Sequence, residues 1–111
     1  MSRDEVYLRH ILDAIGKIES YVSPGREAFF ANPMAQDAVL RQLEVIGEAV
    51  KQLSTSTRER SPQTRWREIA GMRDVLIHQY FAVDLEQVWE VAQRDLEPLR
   101  QAVEEILSRI E

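Results

Sequence analysis

Residues 66–80 read Trp-Arg-Glu-Ile-Ala-Gly-Met-Arg-Asp-Val-Leu-Ile-His-Gln-Tyr. Placed on a helix at about 100° per residue, Ile69, Met72, Leu76, Ile77 and Tyr80 fall in one broad arc around Trp66. That spacing predicts a helix from roughly Thr64 to Gln79 with the arc turned to a core. Arg73 falls inside the same arc. A guanidinium stays charged, and burying it without a partner is very unfavourable. Arg73 therefore has to meet a carboxylate, a second subunit or an anion held in a cleft. A structural ion pair satisfies that demand as well as a catalytic site does. His78 comes five residues later, about 140° around the wheel. For both side chains to reach one phosphate, either the helix ends between them or a second copy supplies one of the pair. A lone histidine at a helix end is otherwise a solvated or capping residue.

The same helical period runs outward in both directions. Leu8, Ile11, Leu12, Ile15, Ile18 and Val22 predict a first helix from about Arg3 to Tyr21. Ser23-Pro24-Gly25 breaks it, with Ser23 expected to cap a short segment through Phe29-Phe30. Asn32-Pro33 restarts the chain, with asparagine at the cap and proline in the first turn. Val39, Leu43, Ile46, Val50 and Leu53 carry the next helix to about Ser54. Residues 54–62 have no apolar period and read as a loop. Asp84-Leu85-Glu86-Gln87 has capping-box spacing and opens the last helical stretch, which Pro98 should kink or restart. No segment alternates with period two, and there are no internal repeats. The expected fold is all-α, an up-and-down bundle of four main helices plus a short extra one, forming one domain over residues 1–111.

With 111 residues there is enough chain for one core and little beyond it. There is no cysteine, which excludes disulfides and cysteine-based metal sites and suits a reducing cytoplasm. Met1-Ser2-Arg3-Asp4-Glu5 is charged where a signal peptide needs an apolar stretch, so a cytoplasmic protein is expected. The net charge of −5 argues against a general nucleic-acid binder. The charge is uneven, however. Between Arg58 and Arg73 stand five arginines (58, 60, 65, 67 and 73) against Glu59 and Glu68. From Asp84 onward eight acids face three arginines. An acidic scaffold with one basic segment suits a protein that meets phosphate at one place; a solvated arginine-rich loop is the plainer account.

The residue types at 73 and 78 suit RNA cleavage without a metal. That reaction needs a base for the 2′-hydroxyl, an acid for the departing 5′-oxygen, and positive charge at the pentavalent phosphate. Histidine titrates near neutrality and serves as either acid or base. Arginine presents a planar fork of donors to phosphate oxygens. A two-fold dimer would bring together two histidines and two arginines.

Arg73-Asp-Val-Leu-Ile-His78-Gln-Tyr80 matches the pattern Arg-x4-His-x-Tyr. It resembles the motif of HEPN toxins of the HepT kind. The likeness extends to Arg41 through Ala49 (Arg-Gln-Leu-Glu-Val-Ile-Gly-Glu-Ala), to Trp66 through Met72, and to Tyr80 through Asp84 followed by Val88-Trp89. The resemblance implies a HEPN helical bundle and a toxin of a type VII-like toxin–antitoxin system. It implies a metal-independent endoribonuclease with Arg73 and His78 at a dimer interface and Asp74 as an accessory polar residue, acting on transfer or messenger RNA. It also implies a partner, a minimal nucleotidyltransferase of the MNT kind, that neutralises the toxin by adding AMP to Tyr80.

Other residues have weaker claims. Arg41, Glu44, Glu48 and Lys51 are explained by exposed helical ion pairs. Arg41 and Glu48, with Arg65 and Arg67, are also candidate cleft or partner contacts. His10 and Asp13 are helical neighbours, but two ligands do not make a zinc site, and no metal is expected. Trp66, Trp89, Phe29 and Phe30 read as core or interface residues. No glycine-rich phosphate loop is present, so no cofactor is expected and any ATP belongs to the partner. The competing function is a non-catalytic companion that binds nucleotide or substrate for the nucleotidyltransferase. The intact Arg-x4-His pair favours the enzyme.

Overall fold

The computed structural model describes residues 2–78 and 84–110, with residues 73–78 in backbone only. The helices in chain order are α1 (Arg3–Val22), α2 (Arg26–Ala31), α3 (Pro33–Gln52), α4 (Thr55–Arg58), α5 (Trp66–His78), α6 (Leu85–Arg94) and α7 (Leu96–Ile110). No strand occurs among the described residues. The architecture is an all-α bundle of the HEPN type. The long helices fall where apolar periodicity places them. Two short helices accompany them among the described residues, one more than the sequence suggests.

α3 is the central helix, packed against α1 on one side and α5 on another, while α7 packs on α1 and α6 on α7. Leu8, Ile11, Ile15 and Ile18 of α1 meet Val39, Leu43, Ile46 and Val50 of α3, all within 1% of complete burial. The first residues of α1 lie at the end of α3, where Arg3 donates to Gln52. The two helices are therefore antiparallel. Arg100, near the start of α7, donates to Glu19, near the end of α1, which makes α7 antiparallel to α1 as well. The Glu19 hydrogen bond, aided by the charges of Glu19 and Glu97, raises the Arg100 pKa despite partial burial.

The helix ends follow their local chemistry, with three departures from the sequence reading. Asn32 caps α3 as expected, its side chain accepting from the Ala35 N–H at 3.2 Å ahead of Pro33 in the first turn. Ser23 does not cap α2. Its hydroxyl turns back to the Ser20 carbonyl at 2.9 Å, and Gly25 takes the cap position at φ 108°, a backbone only glycine holds without strain.

The second departure is α4, formed inside the stretch read as a loop. Ser54 caps it by accepting from the Thr57 N–H at 3.3 Å. The Asp4 carboxylate of α1 accepts from the Ser54 N–H at 3.1 Å and from the hydroxyls of Ser54 and Thr57. Burial pushes the Asp4 carboxyl up, but these hydrogen bonds outweigh it and hold the group below its usual range. Beside its local Ser54 cap, the turn is held by a residue some 50 positions away, which no local period can reveal.

The third departure concerns Pro98. The helical stretch does restart, but at Asp95, three residues before the proline. That break puts Pro98 in the first turn of α7, where its missing N–H has no partner to lose. Asp84 caps α6 by accepting from the Glu86 N–H at 3.0 Å. Among the described residues, no helix is long and apolar enough to cross a membrane.

Candidate functional site

α5 is anchored at its start. Trp66 is buried, and its indole N–H donates to the carbonyls of Arg58 and Ser61, each at 3.0 Å. Ile69 and Met72 are only half-buried and line an open groove of about 1170 Å³. Leu43 and Ile46 of α3 form part of its floor, with Val88 and Val91 of α6 and Leu96 and Leu99 of α7 on the far wall. Arg65 and Glu68 stand on the α5 rim, and Asp84, Asp95 and Glu105 on the opposite one.

α5 remains helical from Trp66 through His78. Arg73 therefore lies two turns after Trp66 and within about 20° of it around the axis. His78 follows about 7.5 Å further along and about 140° around. The helix does not end between them. Asp74 falls on the His78 side of the register, one turn earlier, and Arg67 is about 20° from His78 on that same side. Arg73, Asp74 and His78 are placed by their backbone, and Tyr80 lies outside the described residues.

Arg41 and Glu48 belong to a different place. With Tyr7, His10, Glu44, Val45 and Ala49 they line a shallow groove of about 200 Å³ between α1 and α3. Around α3 these charged residues sit roughly 100–160° from Leu43, which faces the larger groove. The structure thus separates them from Arg65. Arg41 pairs with Glu44 at 3.5 Å, and Glu48 accepts from Gln52 at 3.3 Å. His10 meets the Tyr7 ring edge-on at 5.8 Å, while Asp13 pairs with Lys17 at 3.3 Å. Among the described residues, no three side chains of histidine, aspartate or glutamate converge as metal ligands would. The sequence carries no signal for either groove, because each is made by helices distant in the chain.

Phe29 is buried and packs against Phe30 and Trp89, with ring centroids 5.5 Å apart in each case. Phe30 is partly exposed beneath the Arg26 guanidinium at 4.6 Å. The aromatic residues near α6 are thus committed to packing.

Residues 11–106 match the family model described as "Ribonuclease HepT-like". A protein of Thermococcus cleftensis named "Probable ribonuclease HepT" is 39% identical over 101 residues, covering 90% of this chain and 92% of its own. "Putative RNase TTE0752" of Caldanaerobacter subterraneus subsp. tengcongensis is 41% identical over 110 residues, covering 98% of both chains. A Methanocaldococcus jannaschii protein named "Gamma-glutamylcyclotransferase and putative RNase MJ0434" is 42% identical over 108 residues. This chain spans about half (49%) of that longer relative. No solved structure matches the chain.

Proposed function

Because the chain belongs to the HepT-like ribonuclease family, we propose that it is a metal-independent endoribonuclease whose catalytic residues are Arg73 and His78. The observation that carries this reading is the Arg-x4-His pair set on a helix that stays continuous from Trp66 to His78. On one such helix the two positions lie about 140° apart around the axis, which is too wide for both to serve a single phosphate from one face. A second copy of the chain resolves this. Two protomers meeting near α5 contribute two arginines and two histidines to one cleft, with Asp74 beside each histidine.

In that cleft one histidine takes the proton from the RNA 2′-hydroxyl as its oxygen attacks the adjacent phosphorus. The P–O5′ bond breaks, and the other histidine gives its proton to the departing 5′-oxygen. The products are a 2′,3′-cyclic phosphate and a free 5′-hydroxyl. The arginines stabilise the added negative charge on the pentavalent phosphate through paired N–H donors. Transfer or messenger RNA is the substrate class. Arg65 and Arg67 contact the RNA strand outside the cleft in this reading, and Arg41 and Glu48 are its partner contacts.

The biological setting proposed is a cytoplasmic toxin of the type VII-like HEPN/MNT kind. Its antitoxin is a nucleotidyltransferase that joins the Tyr80 oxygen to the α-phosphorus of ATP and releases pyrophosphate. AMP at Tyr80, seven residues beyond Arg73 in the sequence, adds bulk and negative charge that compete with RNA phosphate.

The test is cleavage of total RNA in excess EDTA by mass-verified, unmodified protein, beside His78→Ala and Arg73→Ala. Wild type should cut, and each variant should lose at least about 100-fold in rate while melting at the same temperature. A folded, unmodified dimer that leaves RNA intact would overturn the reading and favour the companion role.

A further inference from the structure

We infer that the segment from Arg58 to Arg67 is an RNA-backbone track, holding phosphates remote from the one that is cut. The inference deepens the ribonuclease reading and rests on it for the identity of the polyanion.

The observation is how the cations are partnered. Arg9 pairs with Glu5, Lys17 with Asp13, Arg26 with Glu86 and Arg41 with Glu44. Arg94 pairs with Glu90, Arg100 with Glu19 and Glu97, and Arg109 with Glu105. Arg3 donates to Gln52, and Lys51 also has a partner. Among the described residues, the cations left without an ion pair or side-chain hydrogen bond are Arg58, Arg60, Arg65 and Arg67. All four fall within ten consecutive positions. Glu59 and Glu68 stand among or beside them and pair with none. The Arg58 Nε is closed off from solvent and finds no acceptor, so the exposed Arg60, Arg65 and Arg67 are the arginines open to an incoming anion. An unpaired guanidinium gains from an incoming anion what the others have already gained internally.

The segment is also rigidly built, which separates it from a solvated loop. The Arg60 N–H donates to Thr57, Ser61 to Arg58, and Thr64 to Ser61, each at 3.1 Å. The hydroxyls of Ser61 and Thr64 meet at 2.6 Å, and Ser61 is buried. Trp66 ties the turn to the core through the carbonyls of Arg58 and Ser61. The arginines therefore project from a fixed knuckle at the start of the helix that carries Arg73 and His78. Arg67 and His78 share a face of α5, roughly 16 Å apart along the axis. One phosphate cannot bridge that distance, so the track grips nucleotides away from the scissile bond. The acidic scaffold elsewhere confines this attraction to one path.

The test compares a long single-stranded RNA with a dinucleotide, using the full-length dimer and the triple variant Arg60→Gln/Arg65→Gln/Arg67→Gln. Arg94→Gln, from an internal ion pair, is the control. For long RNA the triple variant should raise KM roughly tenfold with kcat unchanged, and flatten the salt dependence of affinity by about two in log–log slope. For the dinucleotide its KM should match wild type, and Arg94→Gln should match wild type on both. Equal melting temperatures show that the variants fold. Cleavage with unchanged KM and slope in the triple variant overturns the track and leaves the ribonuclease intact. Arginine-dependent binding of long RNA without cleavage of either substrate keeps the track and overturns the ribonuclease. Displacement of long RNA by poly-glutamate at equal charge concentration overturns it in favour of an acidic protein partner.

Discussion

The α1–α3 pair and the α5 and α6 helices that flank the groove are all amphipathic, but they are finished to different degrees. α1 and α3 bury Leu8, Ile11, Ile15 and Ile18 against Val39 and Val50 completely, and pin their ends with Arg3–Gln52 and the Asp4–Ser54–Thr57 cluster. Among the described residues, the apolar side chains that α5 and α6 bury are Trp66, 6% exposed, and Val88, 5% exposed. Ile69, Met72 and Val91 stay half-covered beside an open groove. Complete burial gives stability and leaves no surface for anything else. Incomplete burial of Ile69 and Met72, on the helix that bears the Arg-x4-His motif, gives up some stability and leaves apolar surface beside the groove.

The sharpest way to break this contrast is to truncate one isoleucine on each side. Ile15 is fully buried, so Ile15→Ala loses transfer energy and leaves a cavity, lowering stability by about 2–5 kcal/mol. Ile69→Ala opens onto the groove and creates no closed cavity. Its loss in the monomer should stay below about 1 kcal/mol. Denaturant unfolding at low protein concentration measures both. Equal losses would mean that the α5 side is as tightly finished as the α1–α3 side.

Trp66 joins the two regions, and its removal should have an intermediate effect. Trp66→Phe keeps most of the apolar volume but withdraws the indole donor from the Arg58 and Ser61 carbonyls. Those carbonyls keep one backbone partner each, Ser61 and Thr64. The expected loss is about 2 kcal/mol, read as a lower denaturant midpoint. Early exchange of the amides of residues 58–64 should accompany it, ahead of those of α3. Uniform exchange across the chain would show that Trp66 supports the whole core and not the knuckle.

How much of this is legible in the sequence depends on the range of the interaction. α1 and α3 are readable because their apolar residues repeat within the helix, and Asn32-Pro33 caps its own helix. α4 is not, since Asp4 of another helix supplies the acceptor that fixes it. Ser23 misleads because the positive φ of the turn selects Gly25 for the cap. Ile69 and Met72 carry the right period for a core, yet period cannot say whether another element arrives to cover them. The motif from Arg73 to Tyr80 is visible in the sequence as a pattern of residue types. That Arg58, Arg60, Arg65 and Arg67 have no side-chain partner among the described residues depends on where the carboxylates end up, and only the folded chain can tell.

The smallest effect tests the tight side of the contrast through pH. Asp4→Asn keeps the size of the side chain and removes the charge that accepts from Ser54 and Thr57. Near neutrality it should lower stability by about 1 kcal/mol. The Asp4 pKa is depressed in the folded chain, so its contribution is fully present above the ordinary value of 3.8. It is lost as pH falls through the lower folded value, where wild type takes up the proton that the variant never needs. The two melting curves should therefore differ by a constant amount above that range and converge below it. A difference that persists in acid would mean that the carboxylate's shape, and not its charge, holds α4 against α1.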